Sequence, residues 1–242
     1  MTIEFHILSG NGALTGTVQE RLRAVLGEVA STCARLLPLP NIDVVVMNRP
    51  HAVIPRIGVG GHSFDAHHLH LMLDVAHEHL NDNFAAAIQA ALAHELHHCA
   101  RAWARGTSHG ETYGAGLVAE GLACCFEEET GAATPFYAVE CKGDALRQFA
   151  GRAQGFVSIG RGELPGNWND WMFGRAHTDA EFPYLCGYST GYALARAWLT
   201  ATGGTASAAV GVDEFEILAP WLDGSLDPFE PALAAPLPRL DL

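Results

Sequence analysis

The segment His94-Glu95-Leu96-His97-His98, written HELHH, lies in the middle of residues 83–105, a stretch rich in Ala and Leu that contains no Gly or Pro. Ala and Leu favour helix, and Gly106 follows the stretch as a helix end, so we expect one long α-helix. An α-helix turns by about 100° per residue, which places His94 and His98 one turn apart on the same face. Both imidazoles can therefore bind a single metal ion.

Glu95 projects from the edge of that face. It is too close in sequence to the histidines to become an easy third ligand, yet it can reach a water molecule on the metal. Two His ligands and an adjacent carboxylate base are what a metal-dependent hydrolase needs, and Zn2+ is the expected ion. His97 lies near the same face, and we expect it to line the cleft or to support a ligand. The structural alternative is a pair of histidines on a solvated helix face.

A catalytic zinc site needs three protein ligands and one open position. The next helical segment, Tyr113–Glu129, supplies Glu120, the one carboxylate embedded in its apolar run. Burying an unpaired carboxylate costs several kcal/mol, so a glutamate there should be paired or bound to a metal. The loop of residues 106–112 is short enough for the two helices to pack as antiparallel neighbours, which would bring Glu120 toward the histidines. Glu111, in that loop, ranks second.

Hydrophobic periodicity and the positions of Gly and Pro predict the remaining elements. We expect strands at residues 2–8 and 42–47, and helices at residues 15–37, 136–153, 187–200 and 205–222. The three glutamates after the apolar run of the second helix are predicted to form a solvated helix end: Glu127, Glu128 and Glu129. Residues 155–174 read as a loop whose aromatic residues either wall a substrate cleft or cap a core: Trp168, Trp171 and Phe173.

Three ordered motifs resemble those of known metallopeptidases. HELHH on one helix and Glu120-Gly121-Leu122-Ala123 (EGLA) on the next are similar to gluzincins, in which two His and one Glu hold zinc. With the later Gly187-Tyr188-Ser189-Thr190-Gly191-Tyr192 (GYSTGY), the chain more closely resembles a family of predicted zinc-dependent proteases, over about residues 58–203. The resemblance implies an α+β, predominantly helical, zincin-like fold with a small mixed sheet and an edge strand beside the HExxH helix. It also implies zinc ligation by His94, His98 and Glu120.

The same resemblance implies an oxyanion donor. Several gluzincins direct a Tyr or His at the oxyanion of the tetrahedral intermediate, which makes Tyr188 the first candidate, with Tyr192 and His177 as alternatives. The glycines around Tyr188 also permit close backbone approach. Helix packing alone is therefore the competing interpretation of GYSTGY.

Residues 67–74 alternate between polar and apolar side chains and are predicted to form a strand. By resemblance to gluzincins, this strand would lie at the sheet edge beside the metal helix, where a substrate peptide can add as another strand. His67, His68 and His70 raise the alternative of a second metal site. A polar strand face is favoured, because Asp74 lies about 13 Å along the strand from His70 and cannot complete a ligand set with it.

The composition limits the classes of function. A net charge of −13 and a single lysine argue against nucleic acid or an anionic membrane as partner. Length and hydrophobic content suit a single domain over residues 1–242, with possible sub-lobes at 1–131 and 132–242. The six cysteines show no CxxC spacing and are expected to be buried thiols. No secretory leader or membrane-spanning stretch is evident, so a cytoplasmic location is expected.

Together these features predict a zinc metallopeptidase. We expect hydrolysis of peptide bonds in a peptide or protein substrate, with a water molecule on the metal as nucleophile and Glu95 as general base. The alternative is a non-catalytic zinc-binding regulatory or interaction protein that keeps the metal site without turnover.

Overall fold

The computed structural model describes residues 1–230 and has an α+β architecture, mainly helical with one four-stranded mixed sheet. This confirms the predicted fold class at that level. The described chain forms two compact units: Met1–Ser108 together with Thr130–Ala133, and His109–Glu129 together with residues 134–230. The single domain over 1–242 and its sub-lobes remain predictions.

The first unit contains the sheet and two long helices. Its elements are β1 (Ile3–Leu8), α1 (Gly16–Leu36), β2 (Ile42–Asn48), β3 (Val59–Ser63), β4 (His68–Leu73), α2 (Glu78–Asp82) and α3 (Phe84–Arg105), with a 3-10 turn at Pro50–Ala52. The strand order is β1-β2-β4-β3, and β4 runs parallel to β2 and antiparallel to β3. Helix α1 packs on α3, which also contacts β3 and β4. The two long helices therefore cover one face of the sheet.

Helix α3 matches its predicted bounds. It begins after Asn83 and ends at Gly106, which has the left-handed conformation (φ 81°) that favours glycine. Every residue from Leu92 to Ala102 is buried, so this half of the helix has no solvated face. The alternative that placed the histidines on a solvated helix face is therefore wrong.

The strand of the histidine run is not at the sheet edge. β4 lies between β2 and β3, and β3 is the edge strand that contacts α3. The predicted edge position of residues 67–74 is therefore wrong. β3 was not predicted, because Gly60 and Gly61 leave Val59 as its one β-branched residue. The alternation seen along β4 is equally typical of an inner strand with one covered face.

The second unit is mainly helical. It contains α4 (Tyr113–Glu129), α5 (Phe136–Val139), α6 (Gly143–Ala153), α7 (Trp168–Phe173), α8 (Cys186–Thr202) and α9 (Glu214–Leu222), with 3-10 turns at Gln154–Phe156 and Ala208–Gly211. Helix α4 is buried along its whole length and packs on α8. A Cβ at Gly121 would collide with the carbonyl oxygen of Gly191, and a Cβ at Gly191 with that of Leu117. Glycine is therefore what allows the two helix backbones to meet.

Three predicted elements of the second unit differ from the structure. The helix predicted at 136–153 is broken between α5 and α6, and Gly143, the first residue of α6, has a φ of 61°. The loop predicted at 155–174 contains α7, and the helix predicted at 205–222 begins only at α9. The side chain of Asp213 accepts a hydrogen bond from Phe215 N at the start of α9. This N-cap is a helix-start signal that the periodicity did not reveal.

All six cysteines are buried and none of them forms a disulfide within the described residues, which confirms the prediction of buried thiols. Burial raises the pKa of the Cys141 thiol to about 11. Burial, and secondarily the charges of Glu95 and Asp65, raises the pKa of Cys99 further. Both thiols are therefore protonated at neutral pH and unsuited to act as nucleophiles. Among residues 1–230, no helix combines the length and the apolar character needed to cross a lipid bilayer.

Candidate metal centre

Helix α3 places two imidazoles side by side. The Nε2 atoms of His94 and His98 lie 3.1 Å apart, and their ring centroids are 4.8 Å apart with an interplanar angle of 74°. Their exposed fractions are only 7% and 1%. His97, the residue immediately before His98, is completely buried. The helix thus holds two of the predicted ligands together in the protein interior.

The imidazole pair fits a zinc ion. Two nitrogens bound to zinc at about 2.1 Å with a tetrahedral angle lie about 3.4 Å apart. The observed separation of the two Nε2 atoms, 3.1 Å, is close to that value. Without an ion, one Nε2 must donate a hydrogen to the other, so the rings need different tautomers. A divalent cation satisfies both nitrogens at once.

Glu95 lies against the edge strand of the sheet. It is 7% exposed, and a Cβ built at Gly61 would lie 2.5 Å from its Oε1 and 2.7 Å from its Cδ. Only glycine leaves room for this side chain, so Gly61 of β3 limits where the carboxylate can lie. Sequence analysis missed Gly61. The available signal was a glycine pair inside a strand, which marks close approach of another group.

In the second unit, α4 buries Glu120 to an exposed fraction of 7%. His109, in the loop before α4, places its Nε2 3.4 Å from Glu120 Oε1. Glu111, the second-ranked ligand, is exposed. A buried carboxylate needs a positive partner, such as a metal ion, and an exposed one does not. This favours Glu120 over Glu111 as the metal ligand. His109 supports Glu120 and was missed, because a lone histidine in a polar loop forms no pattern.

Arg161 brings a positive charge near Glu120. Its guanidinium carbon lies 3.7 Å from the centre of the Trp168 ring, a cation–π contact. Its backbone N–H donates to the carbonyl oxygen of Glu111 over 3.0 Å, which fixes the segment. Burial lowers the pKa of Arg161, and attraction to Glu120 and Tyr188 opposes that shift. Arg161, another residue that sequence analysis missed, therefore lies within electrostatic reach of two predicted site residues.

Tyr188 lies near the start of α8 and is partly exposed. Its ring packs at 5.5 Å from the ring of Tyr137 and at 5.5 Å from that of Phe173. Because Tyr188 also interacts electrostatically with Arg161, it belongs to the same part of the second unit as Glu120. Its partial exposure leaves it accessible to a bound molecule.

The two alternative oxyanion donors, Tyr192 and His177, have surroundings that differ from those of Tyr188. Tyr192 is buried, and its hydroxyl donates to Glu128 Oε2 over 3.0 Å and accepts from the Arg196 guanidinium over 2.5 Å. That hydroxyl is already engaged in the core. His177 is exposed and packs its ring 4.8 Å from that of Tyr184. These surroundings favour Tyr188 over both alternatives.

The prediction of a solvated end for α4 is wrong. Glu127, Glu128 and Glu129 are all buried, and hydroxyl or amide donors from later parts of the chain satisfy their carboxylates. These bonds are Tyr137 hydroxyl to Glu127 (2.6 Å), Tyr192 hydroxyl to Glu128 (3.0 Å), Thr134 hydroxyl to Glu128, and Ser207 N–H (3.0 Å) and hydroxyl to Glu129. Buried carboxylates with such partners stabilise a packed core. Here they fix α4 within its unit.

The aromatic residues of α7 were interpreted either as a wall of a substrate cleft or as a cap of a core, and they differ in their surroundings. Trp171 is buried and packs among Tyr113, Phe149, Phe156 and Phe182, so it belongs to the core of the second unit. Trp168 is partly exposed beneath Arg161, and Phe173 is exposed beside Tyr188. Trp168 and Phe173 therefore lie beside Arg161 and Tyr188, respectively.

The structure thus brings His94 and His98 together in the first unit, and Glu120, Arg161 and Tyr188 within electrostatic reach in the second. A shared ligand set of His94, His98 and Glu120 remains a prediction.

Comparison with known proteins assigns the chain to a family. A family model described as predicted Zn-dependent protease (DUF2268) matches residues 22–219. That span contains the HELHH, EGLA and GYSTGY motifs. None of the curated proteins and none of the solved structures matches the chain. Because the match covers most of its length, the chain belongs to the family of predicted Zn-dependent proteases.

Proposed function

We propose that this protein hydrolyses peptide bonds in a peptide or protein substrate with the help of a zinc ion held by His94, His98 and Glu120. The observation that carries the proposal is the buried pair of Nε2 atoms, 3.1 Å apart, on a helix with the HExxH pattern. The buried carboxylate of Glu120 and the membership in a family of predicted Zn-dependent proteases support it further.

Zinc, when bound, would lower the pKa of a water molecule toward about 7 and polarise the substrate carbonyl. Glu95, next to His94 and confined by Gly61, would accept the proton of the attacking water at its carboxylate. It would then return that proton to the nitrogen of the leaving amine. A buried carboxylate suits this task because few solvent molecules compete for its proton.

Tyr188 would donate the hydrogen of its hydroxyl to the oxyanion that develops on the substrate. An oxyanion donor of this kind contributes on the order of 3 kcal/mol to transition-state stabilisation. The Arg161 guanidinium, stacked on Trp168, would help to keep this region favourable for negative charge. His109 would orient the Glu120 carboxylate through its contact of 3.4 Å.

The proposal includes a zincin-like fold and a cytoplasmic location. The mixed sheet, with the HELHH helix packed against its edge strand β3, supports the first. Six cysteines that form no disulfide within the described residues are compatible with a reducing environment, which is the usual condition of the cytoplasm.

The test compares the wild type with Glu95→Gln in digests of a peptide library, with zinc measured in the same preparations. Removing the base should lower activity by about 10²–10⁴-fold and leave the zinc content unchanged. Glu28→Gln, an exposed glutamate on α1, is the matched control and should behave as wild type. A zinc-loaded wild type that cleaves no peptide would instead indicate a non-catalytic zinc-binding protein. A Glu95→Gln variant that is fully active would remove Glu95 as the general base.

A further inference from the structure

Arg161 carries a positive charge without a salt-bridge partner in the described chain. Within residues 1–230, its guanidinium forms no salt bridge and donates no hydrogen bond. The four other arginines among residues 134–230 all donate from their guanidinium groups. These bonds are Arg147 to Asp227, Arg152 to the carbonyl oxygen of Glu181, Arg175 to Asp170, and Arg196 to the hydroxyl of Tyr192. The donors of Arg161 are therefore available to a ligand.

The backbone around Arg161 is fixed on the start of α4. Tyr113 N–H, in the first turn of the helix, donates to the carbonyl oxygen of Ile159 over 2.9 Å. Arg161 N–H donates to the carbonyl oxygen of Glu111 over 3.0 Å. The first N–H groups of a helix have no partner within the helix, and this segment supplies one. The position of Arg161 relative to α4 is therefore determined by backbone hydrogen bonds.

Trp168 links the Arg161 guanidinium to the next turn of α4. A Cβ built at Gly116 would lie 2.4 Å from Cη2 of Trp168, so glycine leaves the room that the indole occupies. The guanidinium carbon of Arg161 lies 3.7 Å from the centre of the same indole ring. The charge is therefore held beside the Gly116 turn.

This turn belongs to the face of α4 that carries Glu120. Gly116 and Glu120 are four residues apart, which places them one turn, about 5.4 Å, apart on one face. Side chains of a helix lean toward its N-terminus, so Glu120 leans toward the Gly116 turn. Burial lowers the pKa of Arg161, and attraction to Glu120 and Tyr188 opposes that shift. The charge and the geometry agree that Arg161 lies near both of these proposed site residues.

The guanidinium is arranged to receive a carboxylate. A guanidinium that lies over a ring face keeps the N–H groups at its edges free, and two parallel N–H groups match the two oxygens of a carboxylate. Arg161 is exposed and Trp168 is partly exposed, so a molecule can reach this group from solvent. The contact with the ring also holds the guanidinium in place before a ligand arrives, which lowers the entropy lost on binding.

We propose that Arg161 binds a carboxylate of the substrate, so that the enzyme prefers peptides with a carboxylate close to the bond that is cleaved. This inference rests on the proposed function and narrows its substrate class. A peptide offers this group from two sources, its C-terminus and the side chains of Asp and Glu. A general effect of the Arg161 charge on the oxyanion would instead act on all substrates alike.

Peptide binding to the zinc-loaded Glu95→Gln protein tests the proposal, because this variant should hold a substrate without cleaving it. The probe is a pool of random hexapeptide amides that lack Asp and Glu and carry an uncharged fluorophore. The same pool as free acids, and an amidated pool with one Glu at a random position, add the two kinds of carboxylate. Fluorescence anisotropy gives the apparent dissociation constants.

At least one carboxylate pool should bind about tenfold or more tightly than the neutral pool, and that pool identifies the source. Adding Arg161→Gln should remove the preference. Arg161→Lys should keep part of it, because lysine keeps the charge and loses the paired N–H groups. Arg23→Gln, at an exposed arginine on α1, makes the same change in net charge and should leave the preference unchanged.

Equal binding of the three pools would overturn the proposal. A preference that persists in an Arg161→Gln variant, shown by circular dichroism to be folded, would overturn it as well. Failure of the proposed function has a different signature. A wild type that cleaves none of the pools, together with a preference that depends on Arg161, would disprove peptide hydrolysis and support carboxylate binding by Arg161.

Discussion

Gly61 limits the position of the proposed general base. In Gly61→Ala, the new methyl carbon would lie 2.5 Å from Glu95 Oε1, so the carboxylate must move. A displacement of about 1 Å at a catalytic group can cost about 100-fold in rate. We therefore expect kcat to fall by that order while the zinc content is unchanged. Steady-state kinetics and metal analysis of one preparation measure both quantities.

Gly27→Ala is the control for that variant. Gly27 lies on α1 with open space around it, so a methyl group there should stabilise the fold by about 0.5–1 kcal/mol and leave kcat unchanged. A Gly61→Ala protein with wild-type kcat would show that β3 does not determine where Glu95 acts.

Tyr188 and Tyr192 lie one turn apart and are expected to have different roles. Tyr192→Phe removes a hydroxyl shared by Glu128 and Arg196, which should lower the free energy of unfolding by about 1–3 kcal/mol. Tyr188→Phe should lower kcat by about 100-fold or more, with little change in stability. Urea denaturation and kinetics of both variants provide the measurement. A stable, active Tyr188→Phe protein would remove Tyr188 from the mechanism.

At the residue scale, the sequence predicts a role correctly where that role depends on local spacing. The helical period alone brings His94 and His98 to one face of α3. A role that depends on contacts between residues distant in the chain is not predicted. Glu127–Glu129 looked like a solvated end, because their partners lie elsewhere in the chain. Gly61 and Arg161 likewise acquire their positions only from tertiary structure.

At the element scale, the packing of α4 on α8 explains Gly121 of the EGLA motif and Gly191 of the GYSTGY motif. Gly191→Ala would press a methyl group against the carbonyl oxygen of Leu117, which is backbone and cannot rotate away. We expect the free energy of unfolding to fall by about 2–3 kcal/mol. Denaturant titration measures this loss.

Gly151→Ala is the matched control for the helix-packing prediction. Gly151 lies on α6, is exposed and has no atom near its would-be Cβ. Alanine there should leave stability unchanged or raise it slightly. If Gly191→Ala were as stable as this control, close backbone contact would not be the reason for glycine in GYSTGY.

Element bounds were predictable where strong local signals exist. Long periodic segments bounded by Gly or Pro give α1, α3, α4 and α8 nearly as observed. The strand β3 was missed because glycines carry no β signal, and the inner position of β4 could not be derived without it. Strand order is a property of tertiary pairing, which a single alternating segment does not encode.

At the scale of the whole molecule, the distribution of charge and the family membership both support the proposed metal chemistry. The net charge is −13, yet the surroundings of Glu120 contain His109 and Arg161. Polar and positively charged side chains beside a buried carboxylate are expected where anionic or metal chemistry takes place. The family match over residues 22–219 includes parts of both compact units. The family match therefore supports the proposed chemistry over most of the chain and not through one motif alone.

The most direct test of the account is the zinc content of purified protein after dialysis against a competing chelator. We predict about one tightly held equivalent in the wild type and in Glu111→Ala, and its loss in His98→Ala and Glu120→Ala. Glu111→Ala is the matched control, because Glu111 is the exposed alternative to the buried Glu120. Full retention of tight zinc by a folded Glu120→Ala variant would contradict the proposed ligand set.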